Sequence, residues 1–436
     1  PKMKFDILTI FPEYFDSPFS IGLFKKARER GILEISARDV RNYTEDKHRT
    51  VDDSPYGGGG GMLMKPGPIG AAVEDARKDG GKSVVILTTP AGKPFTDKDA
   101  RELASEYDRL IIICGRYEGI DDRVRDIYVD REVSVGDYVL SGGEPAAAII
   151  IDSVSRFLPG FHGNEQSAEA DSFNGWLLEY PQYTRPESFL DKDIPEVLLS
   201  GNHGEIDDWR RKESLKRTYL ARPDLLDRAK ITLDDINHIN SLKEENPPFF
   251  RAYIALIHYP VYNNRLTIIN TAFTNLDVHD IARAATTYGI RKYYLVQPNA
   301  EQKQLIGRVL RHWNGGDSES SNRSRSEALE IVEVRDTLAE AVEDIERIEG
   351  RKPAVVVTDA RPRDNMIGYG EQRAMKLQSD SVPYLILFRT CWGLAEEILA
   401  GADYTLKPVS GYTAYNHLSL RSAAAVLLDR LYSCTI

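Results

Sequence analysis

The residues best placed to do chemistry follow an apolar run at residues 110–114. Gly115-Arg116-Tyr117-Glu118 offers a turn, a guanidinium, a phenol and a carboxylate in immediate succession. A second loop of the same kind reads Val135-Gly136-Asp137-Tyr138-Val139-Leu140-Ser141-Gly142-Gly143-Glu144. Glycine has no Cβ, so such loops let backbone amides come close to a small ligand. One loop alone is an ordinary turn; two at successive strand ends point to a ligand site. Other chemistries are not signalled. Ala91-Gly92-Lys93-Pro94 lacks the upstream glycine and the Ser/Thr of a phosphate loop. No G-x-G-x-x-G opens a helix after a strand, and no histidine pair has zinc spacing. An NTPase, a nicotinamide enzyme and a metalloprotease are therefore disfavoured.

These loops need a scaffold, and the pattern around them predicts one. Strands are expected at 5–10, 83–87, 110–114 and 128–133, with helices near 19–29, 69–77 and 97–106 and another after Pro145. This alternation implies an α/β fold with a parallel sheet. Residues 160–180 are polar and acidic and read as a flexible linker or lid. Residues 186–243 read as helical and polar, with Arg210, Arg211, Lys212, Lys216, Arg217 and Arg222 close together. That cluster is either a solvated face or a patch for RNA phosphates. Glu244-Glu245-Asn246-Pro247-Pro248 marks a domain boundary, because prolines end a helix and stiffen a connection. Beyond it the rhythm resumes: strands at 253–258, 292–296, 354–358 and 384–388, helices at 278–288, 303–312 and 420–432, and a loop at 314–327. Gly136-Asp137-Tyr138-Val139-Leu140 is echoed by Ala402-Asp403-Tyr404-Thr405-Leu406, which suggests two copies of one architecture.

Two domains are the default for 436 residues. A net charge of −11 argues against a nonspecific nucleic-acid binder, though a local basic patch remains possible. Three scattered cysteines fit a reducing compartment, and no signal peptide opens the sequence, so a cytoplasmic chain is expected.

The first 246 residues resemble the bacterial tRNA (guanine-N1)-methyltransferases of the TrmD type. The resemblance rests on His48-Arg49-Thr50-Val51-Asp52-Asp53, Tyr56-Gly57-Gly58-Gly59, both glycine loops, Ile151-Asp152-Ser153-Val154-Ser155-Arg156, Asp171-Ser172-Phe173, Tyr183-Thr184-Arg185-Pro186 and Leu199-Ser200-Gly201-Asn202-His203. It implies a knotted SPOUT-type parallel-sheet domain at 1–160, a lid at 161–180 and a helical tRNA-binding domain at 181–246. It also implies S-adenosylmethionine as cofactor, tRNA with guanosine at position 37 as substrate, and a homodimer. The cofactor would lie among Leu87, Pro90, Gly115, Tyr117, Val135, Gly136, Asp137, Tyr138, Val139, Leu140, Gly142 and Gly143. Tyr117 and Tyr138 are equally readable as packing residues. Asp52, Arg116, Arg210, Arg211 and Lys216 would meet substrate.

Guanine N1 carries a proton at neutral pH, so its methylation needs a base. The resemblance gives that role to Asp171, whose pKa the neighbouring Glu165 and Glu169 would raise. Arg156 would stabilise the charge that develops on O6. Glu118 and Asp171 are the candidate ligands of a magnesium ion that the resemblance also implies. Two departures stand out: Gly60 replaces a usual proline, and Pro145 comes one place early.

Residues 250–436 are similar to a second SPOUT-type RNA methyltransferase family, through Thr274-Asn275-Leu276-Asp277-Val278-His279-Asp280-Ile281-Ala282-Arg283 and Tyr415-Asn416-His417-Leu418-Ser419-Leu420-Arg421-Ser422. The candidates there are Asn275, Arg283, Trp392, Gly393, Asn416 and Ser419, with Asn275 and Ser419 also readable as helix caps. A G-T-G-W-G-L cofactor loop is replaced by Arg389-Thr390-Cys391-Trp392-Gly393-Leu394. The whole then reads as two knotted parallel-sheet domains with a helical segment between them. The second is either an S-adenosylmethionine-dependent enzyme of unknown target or a noncatalytic RNA-binding or dimerisation module.

Overall fold

The computed structural model describes residues 3–162, 171–245, 251–313, 323–359, 366–370, 382–391, 393–413, 415 and 417–433. The chain divides into two compact units: residues 1–218 with 228–230, and residues 219–227 with 231–436.

The central sheet of the first unit contains β1 (Met3–Thr9), β2 (Leu33–Asp39), β3 (Ser83–Pro94), β4 (Arg109–Cys114) and β5 (Arg131–Ser134). Their order is β2-β1-β4-β3-β5, and every pair is parallel. The apolar run at 110–114 has the reason expected of a parallel sheet, burial on both faces. Leu110, Ile112 and Cys114 join one core cluster, while Ile111 and Ile113 join the other. The strand β2, not expected from the sequence, buries Leu33 fully and leaves its other residues half-buried. Tyr128 ends a helix, Asp122–Tyr128, instead of starting a strand.

The helix after the second glycine loop spans Glu144–Ser155 and takes Pro145 into its first turn, where a missing N–H costs nothing. The helical expectation for 186–243 is met only from residue 203 onward, by His203–Ala221 and Leu233–Glu245. Before it, Ser188–Phe189 pairs antiparallel with Lys192–Asp193.

At the start of β4 lies a charged residue that the sequence pattern does not reveal. The side chain of Arg109 is 1% exposed, and its Nη1 donates to Asp6 Oδ2 at 2.5 Å, Asp79 Oδ2 at 3.2 Å and the Ala76 carbonyl at 2.9 Å. Arg38 joins the same carboxylates, with Nε 2.8 Å from Asp6 Oδ1 and Nη2 2.7 Å from Asp79 Oδ2.

The sheet of the second unit contains β6 (Ala252–Ile257), β7 (Lys292–Val296), β8 (Val332–Arg335), β9 (Ala354–Thr358), β10 (Met366–Ile367), β11 (Tyr384–Arg389) and β12 (Tyr404–Leu406). The order is β8-β7-β6-β11-β9-β12-β10, again parallel throughout. Its inner run β7-β6-β11-β9-β12 repeats the connectivity β2-β1-β4-β3-β5 of the first unit. The registers agree as well: Thr88 aligns with Cys114 and Thr358 follows the pair Val357–Leu387, so Thr358 stands opposite Phe388. Thr88 Oγ1 donates to the Ile113 carbonyl at 3.1 Å, and Thr358 Oγ1 to the Leu387 carbonyl at 2.9 Å. The architecture is thus present twice, but the echoed pentapeptides are not its equivalent parts. Residues 136–140 form a loop after β5, whereas Tyr404–Leu406 is strand β12 itself. The loop expected at 314–327 is cut short by a helix at Arg323–Leu329, and residues 314–322 lie outside the described residues.

His258, just past β6, is fully buried, with Nδ1 3.1 Å from Thr271 Oγ1. Burial pushes its imidazole from 6.5 down to about 4. Between those values the unfolded chain binds a proton that the folded chain refuses, so stability falls as pH falls from 6.5 toward 4. The expected loss for this one group is about 3 kcal/mol. Urea midpoints at pH 7.5 and 4.5 check it: His258→Gln should show a clearly flatter pH dependence than the native chain.

Candidate functional site

The ends of β4 and β5 and the middle of β3, Leu87–Ala91, where its pairing with β5 is interrupted, open into a cleft of about 440 Å³. Of the cofactor residues expected from sequence, Leu87, Pro90, Gly115, Tyr117, Val135, Gly136, Tyr138, Val139, Leu140, Gly142 and Gly143 line it; Asp137 does not. The two glycine loops are joined to each other. Gly143 N–H donates to the Gly115 carbonyl at 2.9 Å, and Arg116 Nη1 donates to the Ser141 carbonyl at 3.0 Å. Gly143 must be glycine here, since a Cβ would sit 2.7 Å from Cys114 Cα and closer still to Thr88 Oγ1.

Arg116 is held from below as well. Its Nε lies 2.9 Å from Oε2 of Glu144, whose side chain is fully buried, and its guanidinium stacks 4.6 Å from the centre of the Phe11 ring. Glu144 Oε1 accepts from Thr9 Oγ1 at 2.7 Å. Glu144 belongs to the expected loop string, yet nothing in its spacing announces a buried carboxylate. Tyr117 has φ +60° and is 51% exposed, and Tyr138 is 52% exposed, so neither ring packs in the core. Burial, and next the neighbouring Asp52 carboxylate, raise the Tyr117 phenol above its ordinary value.

Arg156 caps the C-terminus of Glu144–Ser155, and its Nη2 donates to Asp171 Oδ2. The side chains of both are partly exposed, at 41% and 36%. The structure therefore brings together the two residues given the roles of base and O6 donor, although neither lines the cleft itself. Glu165 and Glu169 lie outside the described residues. Beyond Asp171 the chain turns through Phe173 (φ +73°) and Trp176 (φ +66°), buries Leu177, and is anchored where Leu178 N–H donates to Thr218 Oγ1 at 2.9 Å.

Among the described residues no group of three or more His, Cys, Asp or Glu side chains comes together, and Asp171 is committed to Arg156. The first cleft offers S-adenosylmethionine glycine backbone at Gly115, Gly142 and Gly143 and apolar side chains at Leu87, Val135 and Leu140, with Arg116, Glu118 and Glu132 as charged groups beside them.

The basic cluster on His203–Ala221 is partly engaged within the unit. Arg210 meets Asp207 at 3.4 Å and stacks on Tyr180, and Lys212 meets Asp208 at 2.7 Å. Arg211 donates to the Lys230 carbonyl and Arg217 to the Glu179 carbonyl; Lys216 is exposed.

The second unit carries a cleft of about 410 Å³ at the equivalent strand ends of β9, β11 and β12. Asp277, Asp359, Tyr369, Arg389, Lys407 and His417 are among its lining residues. Of the candidates expected there, Asn275, Arg283, Gly393 and Ser419 do not line it, and Trp392 and Asn416 lie outside the described residues. The cap of the helix Asn275–Thr287 is Thr274, which accepts from Asp277 N–H, so Asn275 is not the cap. Ser419 does cap Leu420–Tyr432, accepting from Ser422 N–H. Asp277 and His417 stand inside the strings that carry the resemblance and were findable there; Asp359, Tyr369 and Lys407 left no such signal. No described helix is long and apolar enough to cross a membrane.

Residues 3–228 match the family described as tRNA (Guanine-1)-methyltransferase TrmD, and residues 251–433 match one described as SAM-dependent RNA methyltransferase. A protein of Oleidesulfovibrio alaskensis named tRNA (guanine-N(1)-)-methyltransferase is 45% identical over 98% of this chain and 99% of its own length. A Nitratidesulfovibrio vulgaris protein of the same name is 44% identical over the same shares. A Geobacter sulfurreducens protein, also so named, is 53% identical over its whole length but covers only 56% of this chain.

Proposed function

The chain belongs to the tRNA (guanine-1)-methyltransferase family, and on that premise we propose that it transfers a methyl group to N1 of guanosine 37 in tRNA. The observation that carries the chemistry is the Arg156–Asp171 ion pair, which holds a carboxylate and a guanidinium side by side. S-adenosylmethionine bound among the two glycine loops supplies the methyl group. Asp171 takes the N1 proton, and Arg156 turns from Asp171 to O6 as charge builds there. Arg116, fixed by Glu144 and Phe11, keeps the loop at Ser141 in place, with Asp52 beside Tyr117 on the substrate side. No step is assigned to magnesium.

In this reading residues 1–160 form the knotted transferring domain, 161–180 its lid and 181–246 the part that grips tRNA, in a homodimer. The Gly143–Gly115 hydrogen bond and the absence of room for a Cβ at Gly143 favour a tightly threaded loop. Lys216, Arg210 and Arg211 are the phosphate-facing candidates. Residues 250–436 form a second RNA-directed unit, a reading supported by the family matched over 251–433.

The test is methylation of matched tRNA transcripts with guanosine or adenosine at position 37. A reverse-transcription stop at that nucleotide should appear only with guanosine. Methylation at another guanosine, with position 37 untouched, would refute the assignment.

A further inference from the structure

Resting on the reading of residues 250–436 as a second RNA-directed unit, we infer that its cleft does not hold S-adenosylmethionine, because an Arg389–Asp359 ion pair stands in the wall where the first cleft is lined by glycine. The shared strand order and register fix the comparison. Thr88 and Cys114 correspond to Thr358 and Phe388, so Thr89 and Gly115, the next residues, correspond to Asp359 and Arg389. In the first unit this position presents bare backbone to the cleft, and the Gly115 carbonyl accepts from Gly143 N–H. In the second, Arg389 Nη2 reaches Asp359 Oδ1 at 3.0 Å, and its Nη1 donates to the Cys391 carbonyl at 3.3 Å. Their side chains are only 15% and 6% exposed, so the bridge is set into the cleft wall.

The next loop residue reinforces the point. Cys391 has φ +57°, a left-handed conformation that glycine adopts freely and a side-chain residue does not. At Cys391 a backbone shape suited to glycine carries a Cβ and a thiol. Thr390 is fixed too, with Oγ1 2.6 Å from Thr271 Oγ1.

The obstacle is chemical, since the two clefts have similar volumes, about 410 and 440 Å³. A ligand that seeks the backbone of residues 389–391 must displace a guanidinium while bringing its own cationic sulfonium. Opening the bridge would separate the guanidinium from a carboxylate that is 6% exposed, a costly step. The residues present therefore do not fit the cofactor that the matched family implies.

The full-length protein, irradiated with methyl-labelled S-adenosylmethionine and digested, separates the possibilities. Label is expected on peptides from residues 85–145 and not on those from 355–430. Label in the second set overturns the inference, whereas absence of label from the first set counts against the proposed function instead. The double variant Arg389→Gly, Cys391→Gly should gain second-cleft label, by about ten- to a hundredfold over background if the strain removed is typical of a misfit side chain. A folded double variant with no gain overturns the inference. If that variant does not fold, the native chain's peptide map decides alone.

Discussion

Asp171→Asn should slow methyl transfer by at least ~10²-fold, the lower end of what a positioned general base contributes, while leaving cofactor affinity nearly unchanged. The amide keeps the shape of the side chain and removes its capacity to take a proton. It also leaves Arg156 without its carboxylate, but does not touch the cleft, which Asp171 does not line. Single-turnover transfer to tRNA, with S-adenosylmethionine affinity measured in parallel, distinguishes this from a general loosening. A rate within about threefold of native would remove Asp171 from the base role. Equal losses of rate and affinity would make the pair a structural clasp.

The largest effect on stability is expected at Arg109. Truncation to alanine strips Asp6, which is 3% exposed, of the guanidinium donating to it at 2.5 Å. Leaving one buried charge of a pair wholly uncompensated typically costs ~3–5 kcal/mol; Asp6 keeps Arg38 Nε at 2.8 Å on its other oxygen, so the loss is expected at the lower end of that range. Hydrogen exchange should report it as a loss of protection in β1 and β4 of about two orders of magnitude, confined to the first unit. Asp6→Leu combined with Arg109→Met should recover most of the loss, since replacing both members with apolar groups of similar volume is often neutral. Failure of the double variant to recover would mean that the carbonyls of Ala76 and Gly80, which Arg109 also bonds, dominate its contribution.

What was legible in the sequence was local. The helix Asp97–Glu106 announces itself through Thr96 and Asp99, which form a reciprocal cap. The strand Lys292–Val296 is an apolar run bounded at both ends. The two glycine loops were recognisable because glycine followed a strand at once. What escaped was nonlocal. The link between Gly143 and Gly115, the burial of Glu144 under Arg116 and the Arg389–Asp359 bridge all join segments whose proximity depends on strand order. The Arg156–Asp171 pair was named through resemblance, since a solvated loop aspartate has the same local sequence. The strand β2 was missed for a different reason: Leu33-Glu34-Ile35-Ser36-Ala37-Arg38 alternates apolar and polar residues as a half-buried strand does, and it lacks the continuous apolar run by which the other strands stood out.

Two sheets with one connectivity in one polypeptide pose a problem of self-recognition during synthesis, because tandem repeats misassemble by exchanging like elements. The Asp6–Arg109 pair works against that exchange. By the shared register, the counterpart of Asp6 in the second sheet is Tyr253 and that of Arg109 is Pro383. A nascent β1 that strayed into the second sheet would bury a carboxylate beside a proline. A strand β6 inserted in the first would offer Arg109 a phenol in place of its counter-ion. Either error forfeits the buried 2.5 Å pair that correct pairing makes. The ion pair thus gives β1 and β4 a preference for each other over their counterparts in the second sheet.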